Sequence, residues 1–143
     1  MRFWDSSAVV PLLVAQAGSA QADRWLGDDG EIALWTLTPI EVVSAVQRLV
    51  REGAFSERQA EEAERRTNEL VLVSHVVVDV EAVKSRAARL LRLHVLRAAD
   101  ALQLGAALEW AVGHPPGRLV HTFDARLAVA ARREGFTVVP APH

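Results

Sequence analysis

The chain alternates short runs of β-branched and aromatic residues with longer stretches whose apolar positions recur every three or four residues. Arg2 to Trp4 reads as a strand, closed by Asp5-Ser6-Ser7, and Ala8 to Val14 continues as a helix. Gln16 to Gly27 predicts a second helix with Ala22, Trp25 and Leu26 on one side, followed by the turn Gly27-Asp28-Asp29-Gly30. Glu31 to Trp35 is the second strand. Thr38-Pro39-Ile40-Glu41 opens a helix to about Glu52 with Gly53 as its stop, and Ser56-Glu57-Arg58-Gln59 reads as a capping box for a helix to about Leu70. Val71 to Val78 contains the third strand. Asp79 caps a helix to about Leu93, and Arg97 to Val112 forms another, rich in Ala and Leu. After the loop Gly113-His114-Pro115-Pro116-Gly117 come a strand at Leu119 to His121, a helix at Ala125 to Glu134 and a last strand at Thr137 to Val139.

Strands alternating with helices predict an α/β fold: a mostly parallel sheet covered on both faces, with right-handed crossovers. The helical pair from Thr38 to Leu70 is the one insertion-like feature. At 143 residues the chain suits one domain, 1–143, large enough to bury roughly 70% of the surface its unfolded form exposes. Half of it is hydrophobic and 24% charged, an ordinary globular balance.

A net charge of −2 provides no overall basic field for nucleic acid, although one local patch can suffice. All but one of the 16 basic residues are Arg, the exception being Lys84; this bias suits phosphate recognition, and a GC-rich coding sequence produces it equally. The absence of cysteine excludes disulfides, thiolate nucleophiles and zinc fingers. No apolar run reaches the ~18–20 residues that span a bilayer, and MRFWDSS does not read as a signal peptide, so a cytoplasmic location without membrane contact is expected.

Four carboxylates lie where charge is unfavourable: Asp5 in RFWDSSAVV, Glu41 in LTPIEVVSAV, Asp100 in LRAADALQLGAAL and Asp124 in LVHTFDARLAVAA. Each sits among apolar or small residues, and each falls where a strand ends or a helix begins. In open α/β sheets ligands bind at the carboxyl ends of the strands, where Asp5 and Asp124 fall directly. Three of the acids have a structural alternative. Asp5 and Asp124 can cap the helices that follow them, and Glu41 fits a capping box from Thr38. Asp100 shares a helical face with Leu96, Leu104, Ala107 and Leu108, which a cap does not explain. Taken together, close carboxylates repel and raise one another's pKa unless a cation intervenes. Oxygen ligands without Cys or a well-placed His suit Mg²⁺ or Mn²⁺, whose natural chemistry here is phosphodiester hydrolysis.

No His pair has metal-ligand spacing, and no GxSxG elbow, GxxxxGK[ST] loop or GxGxxG turn occurs. His75 and His121 read as core residues, as do Trp4, Trp25, Trp35 and Trp110. Val42, Val46, Leu49 and Phe55 read as internal core, or as anchors for an amphipathic partner segment. A response-regulator receiver would need paired acids after strand one, and a haloacid-dehalogenase-type phosphatase a DxD; Ser6 and Ser7 break both. A non-catalytic binding module whose acids are all caps stays open.

The strand running into DSSAVVPLL, then TPIEVVSAV, LRAADALQLGAAL and HTFDARLAVAARREGFTVV, in this order and filling the chain, resembles the PIN-domain nucleases, specifically the VapC-type toxins of toxin–antitoxin pairs. The resemblance implies a three-layer α/β/α sandwich on a five-stranded sheet and a Mg²⁺-dependent ribonuclease site. Asp5 and Asp100 would be the principal metal ligands, Glu41 and Asp124 would complete the acidic pocket, and Ser6 and Thr122 would orient the acids. It also implies an RNA substrate, a homodimer and a cognate antitoxin that blocks the site. Gln103 departs from the His often found there, with no ligand put in doubt. Arg97 and Arg126 are candidate phosphate contacts or plain solvated surface. A non-toxin PIN nuclease of RNA processing is the alternative within the family.

Overall fold

In the computed structural model, which describes residues 1–142, five strands form one sheet in the order β3-β2-β1-β4-β5: β1 (Arg2–Trp4), β2 (Ile32–Trp35), β3 (His75–Val77), β4 (Leu119–His121) and β5 (Thr137–Val139). His143, read as a terminal residue without a role, lies outside the described residues. Every pairing is parallel, so the expectation of a mostly parallel sheet is met in full. The chain steps outward from β1 to β2 and β3, then returns to the other side of β1 for β4 and β5. The crevice between β1 and β4 is therefore the point at which the strand order reverses, the place where such sheets bind ligands.

Successive side chains on a strand point to opposite faces, and that alternation sorts the core into two layers. Phe3, Ala33, Trp35, Val77, Val120 and Val138 face one layer, made by helices α5 (Val80–Leu93), α6 (Ala98–Trp110) and α7 (Ala125–Glu134). Trp4, Ile32 and Leu34 face the other, made by α1 (Ser6–Leu13), α2 (Ser19–Asp28), α3 (Thr38–Arg51) and α4 (Glu57–Val73). The result is the three-layer α/β/α sandwich. All four Trp residues are buried, as expected. Val42 and Val46 are buried core too, so they cannot anchor a partner; Leu49 and Phe55 are half-buried.

Several boundaries differ from the sequence expectation, each for a local reason. α1 begins at Ser6 rather than Ala8, because Asp5 already acts as its N-cap and accepts from the Ser7 backbone N–H at 3.3 Å. α2 starts at Ser19, whose hydroxyl is tied to the Pro11 and Val14 carbonyls, and it runs through Gly27 to Asp28. α4 continues past Leu70 to Val73, since burial of its other face outweighs the β preference of Val71 and Val73. The Ser56–Gln59 capping box forms as expected.

α6 is seated by a close approach. A Cβ on Gly105 would stand 3.0 Å from the Val83 carbonyl oxygen and 3.3 Å from the Ala87 nitrogen, both backbone atoms of α5. Gly105→Ala should therefore destabilise the protein by about 1–2 kcal/mol, steric strain outweighing the roughly 1 kcal/mol that Ala gains in helix propensity. Urea unfolding of the purified variant measures this, and equal or greater stability would show that α5 and α6 can separate freely.

His121 of β4 is fully buried, stacked on Trp25 at 4.4 Å and tilted on Trp4 at 4.6 Å between ring centroids. Burial, reinforced by the Arg2 charge, lowers its pKa from the ordinary 6.5 to about 4. Between these two values the unfolded chain takes up a proton that the folded chain refuses. The stabilising contribution is thus complete above pH 6.5 and is lost as pH falls towards 4. Unfolding midpoints of wild type should drop more steeply between pH 7 and pH 5 than those of His121→Leu; parallel curves would refute the assignment.

Candidate active site

The first turns of four helices meet at the carboxyl edge of the sheet, and each carries one of the four acids. Asp5 is the N-cap of α1 and Asp124 the N-cap of α7, accepting from the Leu127 N–H at 2.9 Å. Asp100 is the third residue of α6 and reaches back to accept from the Arg97 N–H at 3.3 Å, so a capping role does reach this acid as well. Glu41 lies in the first turn of α3, but no Thr38 capping box forms: the cap position is Leu37, without a side-chain bond, and Thr38 is buried inside the helix. Positive helix ends favour carboxylates there by roughly 0.3–1 kcal/mol each.

The acids are held in a shared manner. Asp5 accepts through Oδ2 from the Ser7 hydroxyl at 2.5 Å and the Thr122 hydroxyl at 2.8 Å, while its Oδ1 meets only the Ser6 hydroxyl at 3.4 Å. Glu41 accepts through Oε2 from the Gln103 amide. Asp100 is bound through Oδ2 and Asp124 through Oδ1. Thus one oxygen of every acid is held by the protein, and the other has at most the Ser6 hydroxyl as a neighbour among the described residues. None of the four has a basic partner in an ion pair among those residues.

Electrostatics follow from this arrangement. Burial raises the Asp5 pKa, against the pull of the Ser7 and Thr122 hydroxyls, with the Asp124 charge pushing further up. Burial also pushes Glu41 up to about 7, opposed by the Gln103 amide and assisted by the charges of Asp5 and Asp100. Asp100 is raised by burial and by Asp124. The four acids therefore form one electrostatic unit, opposed only at Asp100, where the charges of Arg97 and Arg126 pull the pKa down.

Glu41, Asp100 and Asp124 line a cavity of about 700 Å³ together with Ser6, Ser7, Arg48, Arg97 and Arg126. Asp5 is 4% exposed and is not part of this lining, although its chain neighbours Ser6 and Ser7 are. Among the described residues no three His, Asp or Glu side chains converge into a ready-made metal cage. The donors at this edge are carboxylate and hydroxyl oxygens with no Cys or His among them, the ligand chemistry of a hard cation such as Mg²⁺ rather than of a Zn²⁺ centre.

Three participants were not read as such from the sequence. Ser7, rather than Ser6, is the principal hydroxyl: it donates to Asp5, meets Thr122 at 3.1 Å and accepts from the Phe123 N–H at 2.9 Å. The Thr122 hydroxyl donates to Asp5 at 2.8 Å and accepts from the Asp124 N–H at 3.0 Å. Gln103 is 1% exposed and binds Glu41 directly. Arg48 joins Arg97 and Arg126 on the cavity wall, one α3 turn beyond Ser44. The helical period from Glu41 could have flagged Arg48; nothing local could have flagged Gln103.

Comparison with known proteins agrees with this geometry. The PIN domain family matches residues 2–133. Ribonuclease VapC45 and Ribonuclease VapC49, from two strains of Mycobacterium tuberculosis, are each 35% identical over 140 residues, covering 97% of this chain and 94% of theirs. In fold the chain is similar to FitAcB from Neisseria gonorrhoeae (TM-score 0.65, 17% identity, 96% of both chains). It is also similar to the sarcin-ricin loop cleaving toxin VapC20 of M. tuberculosis (TM-score 0.64, 20% identity, 91% of this chain and 95% of that one). A family match over residues 2–133, two relatives 35% identical over nearly the whole of both chains and the acids gathered at the β1–β4 crevice lead to one assignment: the chain belongs to the PIN-domain family, in its VapC branch.

Proposed function

We propose that this protein is a Mg²⁺-dependent endoribonuclease, with Mn²⁺ as an alternative ion, and the toxin of a type II toxin–antitoxin pair. The observation that carries the reading is the set of four half-engaged carboxylates at the sheet's switch point, none of them in an ion pair among the described residues. Asp5, Asp100, Asp124 and Glu41 would hold the ion, with Ser7 and Thr122 fixing Asp5 from behind. When bound, the ion activates water and offsets charge on a phosphate.

The chain's own residues supply the rest. Arg48, Arg97 and Arg126 wall the cavity without ion-pair partners among the described residues, and they are placed to grip RNA phosphates on either side of the scissile bond. Glu41, on the wall of the same cavity as Asp100 and Asp124, would accept the proton of an attacking water. The water oxygen bonds to phosphorus as the bond to the 3′ oxygen breaks, leaving 5′-phosphate and 3′-hydroxyl ends. Membership of the VapC branch supports a cognate antitoxin as inhibitor and a homodimer as the working form. No helix of the described residues is long and apolar enough to cross a membrane, and with the cysteine-free sequence this supports action in the cytoplasm.

Asp100→Asn should keep the wild-type circular dichroism spectrum and lose at least ~100-fold in cleavage of RNA, along with growth inhibition on expression. Full residual cleavage by that variant would remove Asp100 from the mechanism. Mg²⁺ or Mn²⁺ should raise the Tm of the wild-type protein, an ion at 100 times its Kd adding about 2.7 kcal/mol. The rise should be much smaller for Asp5→Asn, and equal shifts in both would indicate nonspecific salt effects.

A further inference from the structure

We propose that Gln103 is a positioning residue for the acidic site: its carboxamide spans from α6 to α3 and holds Glu41 so that the site binds its divalent cation tightly. The inference rests on the cation reading above and extends it to a residue that does not itself touch the ion.

The amide nitrogen of Gln103 donates to the Glu41 carboxylate and, at 3.0 Å, to the Thr38 hydroxyl oxygen. Both acceptors are on α3, in the layer opposite α6, so the amide joins the two helical layers across the end of the sheet. Its direction is determined. Rotating the amide would set its carbonyl oxygen against the Glu41 carboxylate. As it stands, that carbonyl oxygen is buried with no partner among the described residues. Leaving such an atom unpaired is unfavourable, and simple core filling by an apolar side chain would avoid it. The amide thus gives up stability for direction.

The choice of a neutral donor matters. Glu41 feels the charges of Asp5 and Asp100, and among the described residues it has no basic partner in an ion pair. An Arg or Lys at position 103 would also hold the carboxylate, but it would cancel the negative charge and repel a cation. A carboxamide fixes the orientation through its dipole and leaves the whole charge available. It engages one oxygen only, as the backbone donors do for Asp100 and Asp124.

The test is a MnCl₂ titration of the full chain followed by thermal unfolding, with no RNA present. Wild type should show a saturable rise in Tm. Gln103→Met, close in volume but without a donor, should need 10–100-fold more Mn²⁺ for the half-maximal rise. Gln103→His, which restores a neutral N–H, should return the midpoint to within a few-fold of wild type, a recovery that lost packing alone would not produce. Introducing Gln103→Met into Glu41→Gln should shift the midpoint no further, because both changes act through one contact. An unchanged midpoint in Gln103→Met, beside a normal wild-type response, would overturn the role of Gln103 and leave the cation site standing. A flat wild-type titration would overturn the cation reading and this proposal with it. If Gln103→Met does not fold, Gln103→Asn, whose shorter amide cannot reach both acceptors, is judged by the same midpoints.

Discussion

Four carboxylates share one edge of a small sheet without a basic side chain paired to any of them among the described residues, and the rest of the architecture serves to make that tolerable. Buried uncompensated charge is unfavourable by several kcal/mol per group, so each acid requires local support. The support is of one kind throughout. Each acid stands at the start of a helix, Asp5 and Asp124 as N-caps and Glu41 and Asp100 in the first turn, where exposed N–H groups and the helix dipole favour negative charge. Each also gives one oxygen to a donor supplied by the protein. Such support is neutral: it stabilises the carboxylates without discharging them.

For this reason capping and function are not competing explanations here. Asp5 and Asp124 are N-caps, and Asp100 reaches back to its own helix start, yet Asp100 and Asp124 open to the cavity and Asp5 directly precedes its lining residues Ser6 and Ser7. A carboxylate that caps with one oxygen keeps the other for a ligand. Glu41 is the exception that clarifies the rule. It has no capping bond, so its support comes from across the sheet, through Gln103. That makes it the acid most dependent on tertiary structure, and burial pushes its pKa up to about 7.

The two layers meet at this edge through two polar connections. Ser7 and Thr122 join the end of β1 to the end of β4 around Asp5, and Gln103 joins α6 to α3. Both depend on helices seated closely on the sheet. Gly105, two residues beyond Gln103, lets α6 approach the backbone of α5. The packing that looks remote from the site therefore sets the reach of the amide that holds Glu41.

The strand–helix alternation, the position of Asp5 and Asp124 after β1 and β4, and the Ser56 capping box were all legible in the sequence, because each rests on periodicity or on a bond between residues a few positions apart. Helix starts and ends shifted by a few residues where a tertiary bond, such as that of Ser19 to Pro11, intervened. Thr38 reads locally as a cap and became instead an acceptor for a residue 65 positions away. Ser7 reads as the neighbour of an orienting serine and turned out to be the orienter itself, since which of two adjacent hydroxyls faces Asp5 depends on how α1 meets β4. The sequence alone determined which chemistry the chain can carry: an oxygen-rich, cysteine-free set of acids at the ends of parallel strands. Only the tertiary structure decided which oxygen of each acid is held and which is left open, because that depends on donors brought together from distant parts of the chain.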